Sequence, residues 1–191
     1  MKILFGIFKN KFISNFIKKN HYIPRPTTSL IKKVVFNIIY QHISNNKKVI
    51  NNTNFLDICC GTGIIGLEAL SQGFKNIIFV DNNLYILFLM KNNFNFINKN
   101  NFNIIKININ KLKLDIKFDI IFIDCPYKKN ISILLKQFYN LISNSTLIFM
   151  ECSNIYNIFI PISCKILSYK KFKHCYILLI KKKITYIING K

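Results

Sequence analysis

The chain contains no tryptophan, one alanine (Ala69), one arginine (Arg25), four prolines and only seven acidic residues, against 28 Lys and Arg in 191 residues. It also lacks any uninterrupted apolar run of the roughly 18 residues needed to cross a bilayer, although half of its residues are hydrophobic. The opening Met-Lys-Ile-Leu-Phe-Gly-Ile-Phe-Lys-Asn-Lys interleaves lysine with apolar residues and has neither the h-region nor the small-residue cleavage site of a signal peptide. A cytoplasmic protein without a membrane partner is expected. The six cysteines (59, 60, 125, 152, 164, 175) include no CxxC pair, which argues against a zinc knuckle or a dithiol redox motif. Adjacent Cys59 and Cys60 are expected to be a reduced, half-buried pair, and no metal is expected.

The net charge of +21 invites a polyanionic partner, because lysine gains affinity by releasing counterions from phosphates. Enrichment in Ile, Lys, Asn, Phe and Tyr also follows from A/T-rich codons, so charge alone does not decide. The scarce residue types carry more information. The acids are Asp57, Glu68, Asp81, Asp115, Asp119, Asp124 and Glu151, and three of the six glycines fall between positions 61 and 66. Residues that the background disfavours survive mainly where chemistry requires them.

Residues 2–13 read as a short hairpin or arm. Pro24 and Pro26 exclude helix and favour extended backbone through 18–28. A helix follows, capped by Thr27, Thr28 or Ser29, with Leu30, Ile31, Val34, Val35, Ile38 and Ile39 at helical spacing and Lys32 and Lys33 between them. The polar stretch 44–53 reads as a linker, dividing an N-terminal extension (1–44) from the main domain (45–191). From 54 onward, strands are expected at 54–58, 76–80, 102–107, 118–123, 145–151, 164–169 and 174–182, and helices at 63–72, 83–96 and 130–142. This alternation predicts an α/β doubly wound sheet of seven strands, mostly parallel, closed by an antiparallel hairpin.

Phe55-Leu56-Asp57-Ile58-Cys59-Cys60-Gly61-Thr62-Gly63-Ile64-Ile65-Gly66 runs from a strand through a glycine turn into a helix. The literal GxGxxG, with Asp81 20 residues past Gly61, suits both a dinucleotide enzyme and a methyltransferase. Asp57 tips the balance. A carboxylate at the end of an apolar strand is costly unless paired; a ligand carrying an ammonium and a sulfonium would pair it, whereas a pyrophosphate would be repelled. The alternative is an Asp that caps its own loop through backbone N–H groups. Asp81, ending the second strand, is placed to accept ribose hydroxyls or to cap the next helix, with Asn82 beside it. Asn108, just past the third strand, is placed to meet an adenine edge.

Asp124-Cys125-Pro126-Tyr127 follows an apolar strand at the sheet edge where such folds bind ligands. The pattern suits transfer to a planar amine, whose lone pair is delocalised into its ring. The Asp124 carboxylate and the Cys125 carbonyl can hold the amine hydrogens and turn the lone pair outward. Pro126 stiffens the turn, and Tyr127 offers a face on which a base stacks for about 1–3 kcal/mol.

Taken together, Arg25-Pro26-Thr27-Thr28 with Phe36-Asn37, Leu56-Asp57 through Gly66-Leu67-Glu68-Ala69-Leu70-Ser71, and Asp124-Cys125-Pro126-Tyr127 resemble the RsmD family of bacterial small-subunit rRNA guanine-N(2) methyltransferases. Weaker likenesses lie around Gly6 and at Leu147–Glu151. The resemblance implies a Rossmann-like class I fold using S-adenosyl-L-methionine. It implies a cofactor site at Asp57, Cys59, Gly61, Gly63, Asp81, Asn82 and Asn108, and catalytic residues Asp124, Cys125, Pro126 and Tyr127. Arg25, Thr27 and Thr28 would contact 16S rRNA. The implied substrate is a guanine of that RNA, guanine 966, presented on the small ribosomal subunit to a monomeric enzyme. The chain departs from the family pattern at Cys59-Cys60 (usually Phe-Ala), Cys125 (Pro), Ser29-Leu30 (Asp-Arg) and Lys33 (Glu). Other readings are an amino-methyltransferase acting on another RNA, DNA or a protein amide, an NAD-dependent oxidoreductase, and an RNA-binding remnant without activity.

Overall fold

The structure, a computed structural model, describes residues 1–13, 27–125, 135–136, 138–155, 158 and 160–183. Its elements are α1 (Ser29–Asn45), β1 (Asn54–Ile58), α2 (Ile64–Ser71), β2 (Asn76–Asp81), α3 (Leu84–Asn93), β3 (Phe102–Lys106), β4 (Phe118–Ile123), β5 (Ile142–Cys152), β6 (Cys164–Lys171) and β7 (Tyr176–Lys182). The strands form one seven-stranded sheet in the order β3-β2-β1-β4-β5-β7-β6. Strands β1 to β5 pair in parallel, and β7 runs antiparallel to both β5 and β6. The order reverses between β1 and β4, and ligands of open α/β sheets bind in the crevice outside the carboxyl ends at such a reversal.

Alternation along the strands sorts the core onto the two faces of the sheet. Phe55, Phe79, Phe122, Phe149 and Ile177 face one way, among buried residues of α1, α2 and α3. Leu56, Ile58, Ile78, Val80, Ile121, Ile123, Ile148 and Leu178 face the other. Strands covered on both sides must be apolar at nearly every position, which is why β1, β2 and β4 read as continuous runs. Helix α2 is buried at all eight of its positions. It lies so close to the sheet that a Cβ on Gly66 would stand 2.3 Å from the Phe79 ring. Glycine there permits close helix–strand packing.

The N-terminal arm is folded back on itself by a Lys2–Phe12 bridge, and its Ile3 and Ile13 join the same core as Val35 and Phe55. Its anchor is Glu68, fully buried on α2. The carboxylate accepts from the Leu4 N–H (2.7 Å) and the Phe5 N–H (3.3 Å), and pairs with Lys32 Nζ at 2.8 Å. Lys32 Nζ also donates to the Lys2 carbonyl at 2.6 Å. Lys32 is therefore not on the polar face of α1 but 2% exposed within the core, while Leu30, assigned to the apolar stripe, is 61% exposed. Helical spacing marks a face without saying where that face ends; here a buried acid opposite position 32 decides.

Two other boundaries differ from expectation. Helix α1 runs to Asn45, and the polar stretch after it contains a 3-10 turn at Ile50–Asn52. The helix expected at 130–142 falls largely outside the described residues, and β5 begins at Ile142. The remaining strands lie within three residues of their expected limits, and the antiparallel closing hairpin is β6–β7.

Two stability changes follow. Gly66→Ala should cost about 1–3 kcal/mol through overpacking against Phe79, read as a lower thermal midpoint. Lys32→Met should cost about 3–5 kcal/mol by leaving the Glu68 charge buried without its cation. Urea unfolding that places Lys32→Met level with the parent chain would remove Glu68 as the anchor of the arm.

Candidate active site

The carboxyl ends of β2, β1 and β4 bring the scarce acids together. Asp57 pairs in register with Phe79 of β2 and Phe122 of β4, so Asp81 and Asp124 lie just beyond it on the flanking strands, each roughly 4.8 Å away in the pairing direction. The loop between β1 and α2 crosses this end of the sheet. It turns through left-handed backbone at Cys59 (φ 55°), Gly61 (φ 52°) and Gly63 (φ 71°). A Cβ on Gly63 would also stand 2.5 Å from the Met90 methyl. Glycine meets both demands at 63, a positive φ and a close neighbour.

Two carboxylates hold this loop. Asp57 is 1% exposed, and its Oδ2 accepts from the Gly66 N–H at 2.9 Å. Burial pushes its pKa well above the usual carboxylate range, the Gly66 N–H opposes that shift, and the charges of Asp124 and Asp81 add to it. Through Oδ2, Asp57 thus caps its own loop. Asp81 accepts from the Gly61 N–H at 3.0 Å through Oδ2 and from the Asn83 N–H at 2.9 Å through Oδ1. The N-cap of α3 is Asn83, whose side chain accepts from the Tyr85 and Ile86 amides, so Asp81 is released from that duty.

Cys59, Val80, Asp81, Asn82, Ile107 and Ile109 line one cleft at this edge. Asn108 is exposed, and its side-chain oxygen accepts from the Asn110 N–H at 3.1 Å, closing a 3-10 turn. Its neighbours Ile107 and Ile109, unassigned from sequence, form the wall instead. The apolar alternation at Ile105, Ile107 and Ile109 was the signal that could have found them. An acid facing isoleucines suits an adenosine, with ribose hydroxyls on the second lone pairs of Asp81 and the purine on the apolar wall. Among the described residues no basic side chain lines this cleft, and three carboxylates bear on one another behind it, which disfavours a pyrophosphate.

Asp124 follows β4, and its N–H donates to the Ile58 carbonyl at 3.2 Å, continuing the β1–β4 ladder by one residue. Burial raises its pKa to about 7, with the charge of Glu151 on β5 as the second cause. Glu151 was not singled out as a site residue from sequence, because its effect arises only when β5 lies beside β4. Cys125 is 6% exposed. Pro126, Tyr127 and Arg25 lie outside the described residues. Thr28 serves locally, its hydroxyl capping α1 by accepting from the Ile31 N–H at 3.4 Å; Thr27, half-buried, precedes it.

The cysteines correct the expectation of a reduced Cys59–Cys60 pair. Cys59 is disulfide-bonded to Cys125, with Cα atoms 5.1 Å apart, while Cys60 is free and its sulfur lies 3.7 Å from that of Met90. The physical reason is the β1–β4 pairing, which carries residues 66 apart in sequence to adjacent strand ends. Among the described residues, no group of three or more His, Cys, Asp and Glu is placed to hold a metal.

Comparison with known proteins gives the family and the fold. Residues 1–177 match a family model described as Conserved hypothetical protein 95. Ribosomal RNA small subunit methyltransferase D of Buchnera aphidicola is 30% identical over 148 residues, covering 72% of this chain and 71% of that protein. YlbH of Bacillus subtilis, described as a candidate rRNA methyltransferase, is 31% identical over 55% of this chain; the match spans 56% of that protein. In fold, yhhF of Escherichia coli, described as a candidate methyltransferase, superposes with a TM-score of 0.79 at 18% identity, covering 97% of this chain and 99% of that one. With 177 of its residues matched by one family model and nearly its full length sharing the fold, the chain belongs to the Conserved hypothetical protein 95 family, the RsmD family.

Proposed function

We propose that the protein transfers the methyl group of S-adenosyl-L-methionine to the exocyclic 2-amino group of a guanine in small-subunit 16S rRNA, the position corresponding to guanine 966. The observation that carries this reading is Asp124. It is a largely buried carboxylate at the end of β4, one strand from the glycine loop, and it begins Asp-Cys-Pro-Tyr. Support comes also from the relatives described as rRNA methyltransferases. The positive surface adds to it: no acid follows Glu151 in the sequence, and at this sheet edge the end of β6 carries Lys170 and Lys171 and the β6–β7 turn carries Lys173. An unmodified small subunit in the cytoplasm is the proposed target, with Arg25, Thr27 and Thr28 on the RNA side and the enzyme acting as a monomer.

The cofactor supplies an electrophilic methyl group when bound. Asp81, Asn82, Ile107 and Ile109 would hold its adenosine, and the turn through Gly61 and Gly63 would meet its methionine end. Asp57 acts by fixing that turn through Gly66. At the other side, the Asp124 carboxylate and the Cys125 carbonyl accept the two amine hydrogens, and Tyr127 stacks on the extruded base. Asp124 takes the proton released as the new C–N bond forms. Alignment of two bound reactants can supply as much as about 7–11 kcal/mol of the barrier, so positioning needs no stronger base.

Asp124 can take up the released amine proton only when ionised, and its pKa is raised to about 7. Activity should therefore rise with pH through about 7 and level off above it. Glu151→Gln should move the rising limb to lower pH by removing one of the two causes of the shift. A profile of kcat/KM that stays flat from pH 6 to 8 would contradict this assignment (about one unit either side of the value). Asp124→Ala should lower methyl transfer by about 10²–10⁴-fold while calorimetry shows S-adenosylhomocysteine binding retained. The substrate itself is tested with labelled cofactor and unmodified small subunits, digesting the product to nucleosides. N(2)-methylguanosine is expected; label in adenine, cytosine or protein would assign the enzyme to a different amine.

A further inference from the structure

The Cys59–Cys125 bond joins the cofactor loop to the residue after the catalytic acid, across the β1–β4 pair at which strand order reverses. In the folded chain these two backbones are already held in register, by Ile58 opposite Ile123 and by the Asp124 N–H on the Ile58 carbonyl at 3.2 Å. The two sulfurs also differ in access. Cys59 is half-buried and lines the cleft with Asp81 and Asn82, whereas Cys125 is 6% exposed. Cys59 holds a left-handed φ of 55°, uncommon for a residue with a side chain, in a turn whose other left-handed positions, 61 and 63, are glycines. In reducing compartments, disulfides are mostly transient, catalytic or sensing.

We infer that Cys59 and Cys125 form a reversible oxidation site for a low-molecular-weight disulfide, and that the bonded form is the slow form of the enzyme. This rests on the reading that Asp124 and the Cys125 carbonyl orient the target amine. The Cys59 thiolate, reached through the cleft, attacks one sulfur of the small disulfide and expels the other half as a thiolate. The Cys125 thiolate then attacks the Cys59 sulfur of that mixed disulfide and expels the second half. Two protein thiols are oxidised, one small disulfide is reduced to two thiols, and the two protons pass to the departing thiolates. Thiol reductant runs the exchange backwards. Cys125 lies one residue past the Asp124 N–H that continues the β1–β4 ladder, so the bond ties to the loop a residue the ladder leaves free, and its carbonyl then cannot close on an RNA base independently of the cofactor. An error of about 1 Å in such a group can cost about a hundredfold in rate.

The test incubates the full chain with glutathione disulfide or with dithiothreitol. Peptides are mapped without reduction, and the initial rate of methyl transfer to unmodified small subunits is measured. Oxidation should produce a linked 59–125 peptide and lower the rate by about a hundredfold, with recovery on reduction. Cys59→Ser and Cys125→Ser, each compared only with itself between the two treatments, should show no oxidant response, while Cys60→Ser keeps it. S-adenosylhomocysteine should slow formation of the linked peptide, because Cys59 lines its cleft. Free thiols at both positions after oxidation, or a linked peptide with an unchanged rate, overturns the inference. Should the reduced chain methylate no RNA at all, the functional reading fails instead. Linkage and its protection by S-adenosylhomocysteine then still decide the oxidation site: a linked peptide forming at the same rate with and without it refutes access through the cleft.

Discussion

The structure depends on a buried carboxylate at the end of its central strand. Asp57 sits where a chain must turn from β1 into α2 with no solvent to satisfy its amides, and its bond to the Gly66 N–H closes that turn from inside. The consequences spread outward. Gly66 must be glycine for the helix to lie on Phe79, and α2 must lie there for Glu68 to reach the arm. Asp81 grips the other end of the same turn through Gly61. The glycine turn is thus held from both sides by carboxylates.

Scarcity of acids makes their placement informative. Asp57, Glu68, Asp81 and Asp119 each accept from named backbone amides, the last from Asn54 at 2.9 Å while also pairing with Lys48. Asp124 and Glu151 face each other electrostatically across β4 and β5. Asp115 is exposed. In a chain of net charge +21, four of the seven acids (Asp57, Asp81, Asp124 and Glu151) lie toward the carboxyl edge of the sheet, and among the described residues the lysines other than Lys32 reach the surface. That division suits a cationic cofactor buried against the acids and a polyanionic substrate approaching from outside.

The N-terminal arm and α1 belong to the same argument. Both are fastened to α2, the helix that follows the glycine turn: Lys32 of α1 pairs with Glu68 and donates to the Lys2 carbonyl of the arm. The Cys59–Cys125 disulfide adds a covalent link between the glycine turn and the end of β4, beside the core cluster on the other face of the sheet.

By itself the sequence determined the strand–helix alternation, the parallel sheet with its antiparallel closing hairpin, the glycine turn, and Asp81 and Asp124 as acids ending their strands. These are local: period, turn chemistry and the cost of a charge in an apolar run are all readable within a few residues. Tertiary structure alone decided that Lys32 is buried, that Ile107 and Ile109 rather than Asn108 form the cleft wall, that Asp57 turns to Gly66, that Glu151 bears on Asp124, and that Cys59 meets Cys125. Each of these depends on which strand or helix lies alongside, over separations such as the 66 residues between the bonded cysteines, and no pattern within a single segment encodes its neighbour.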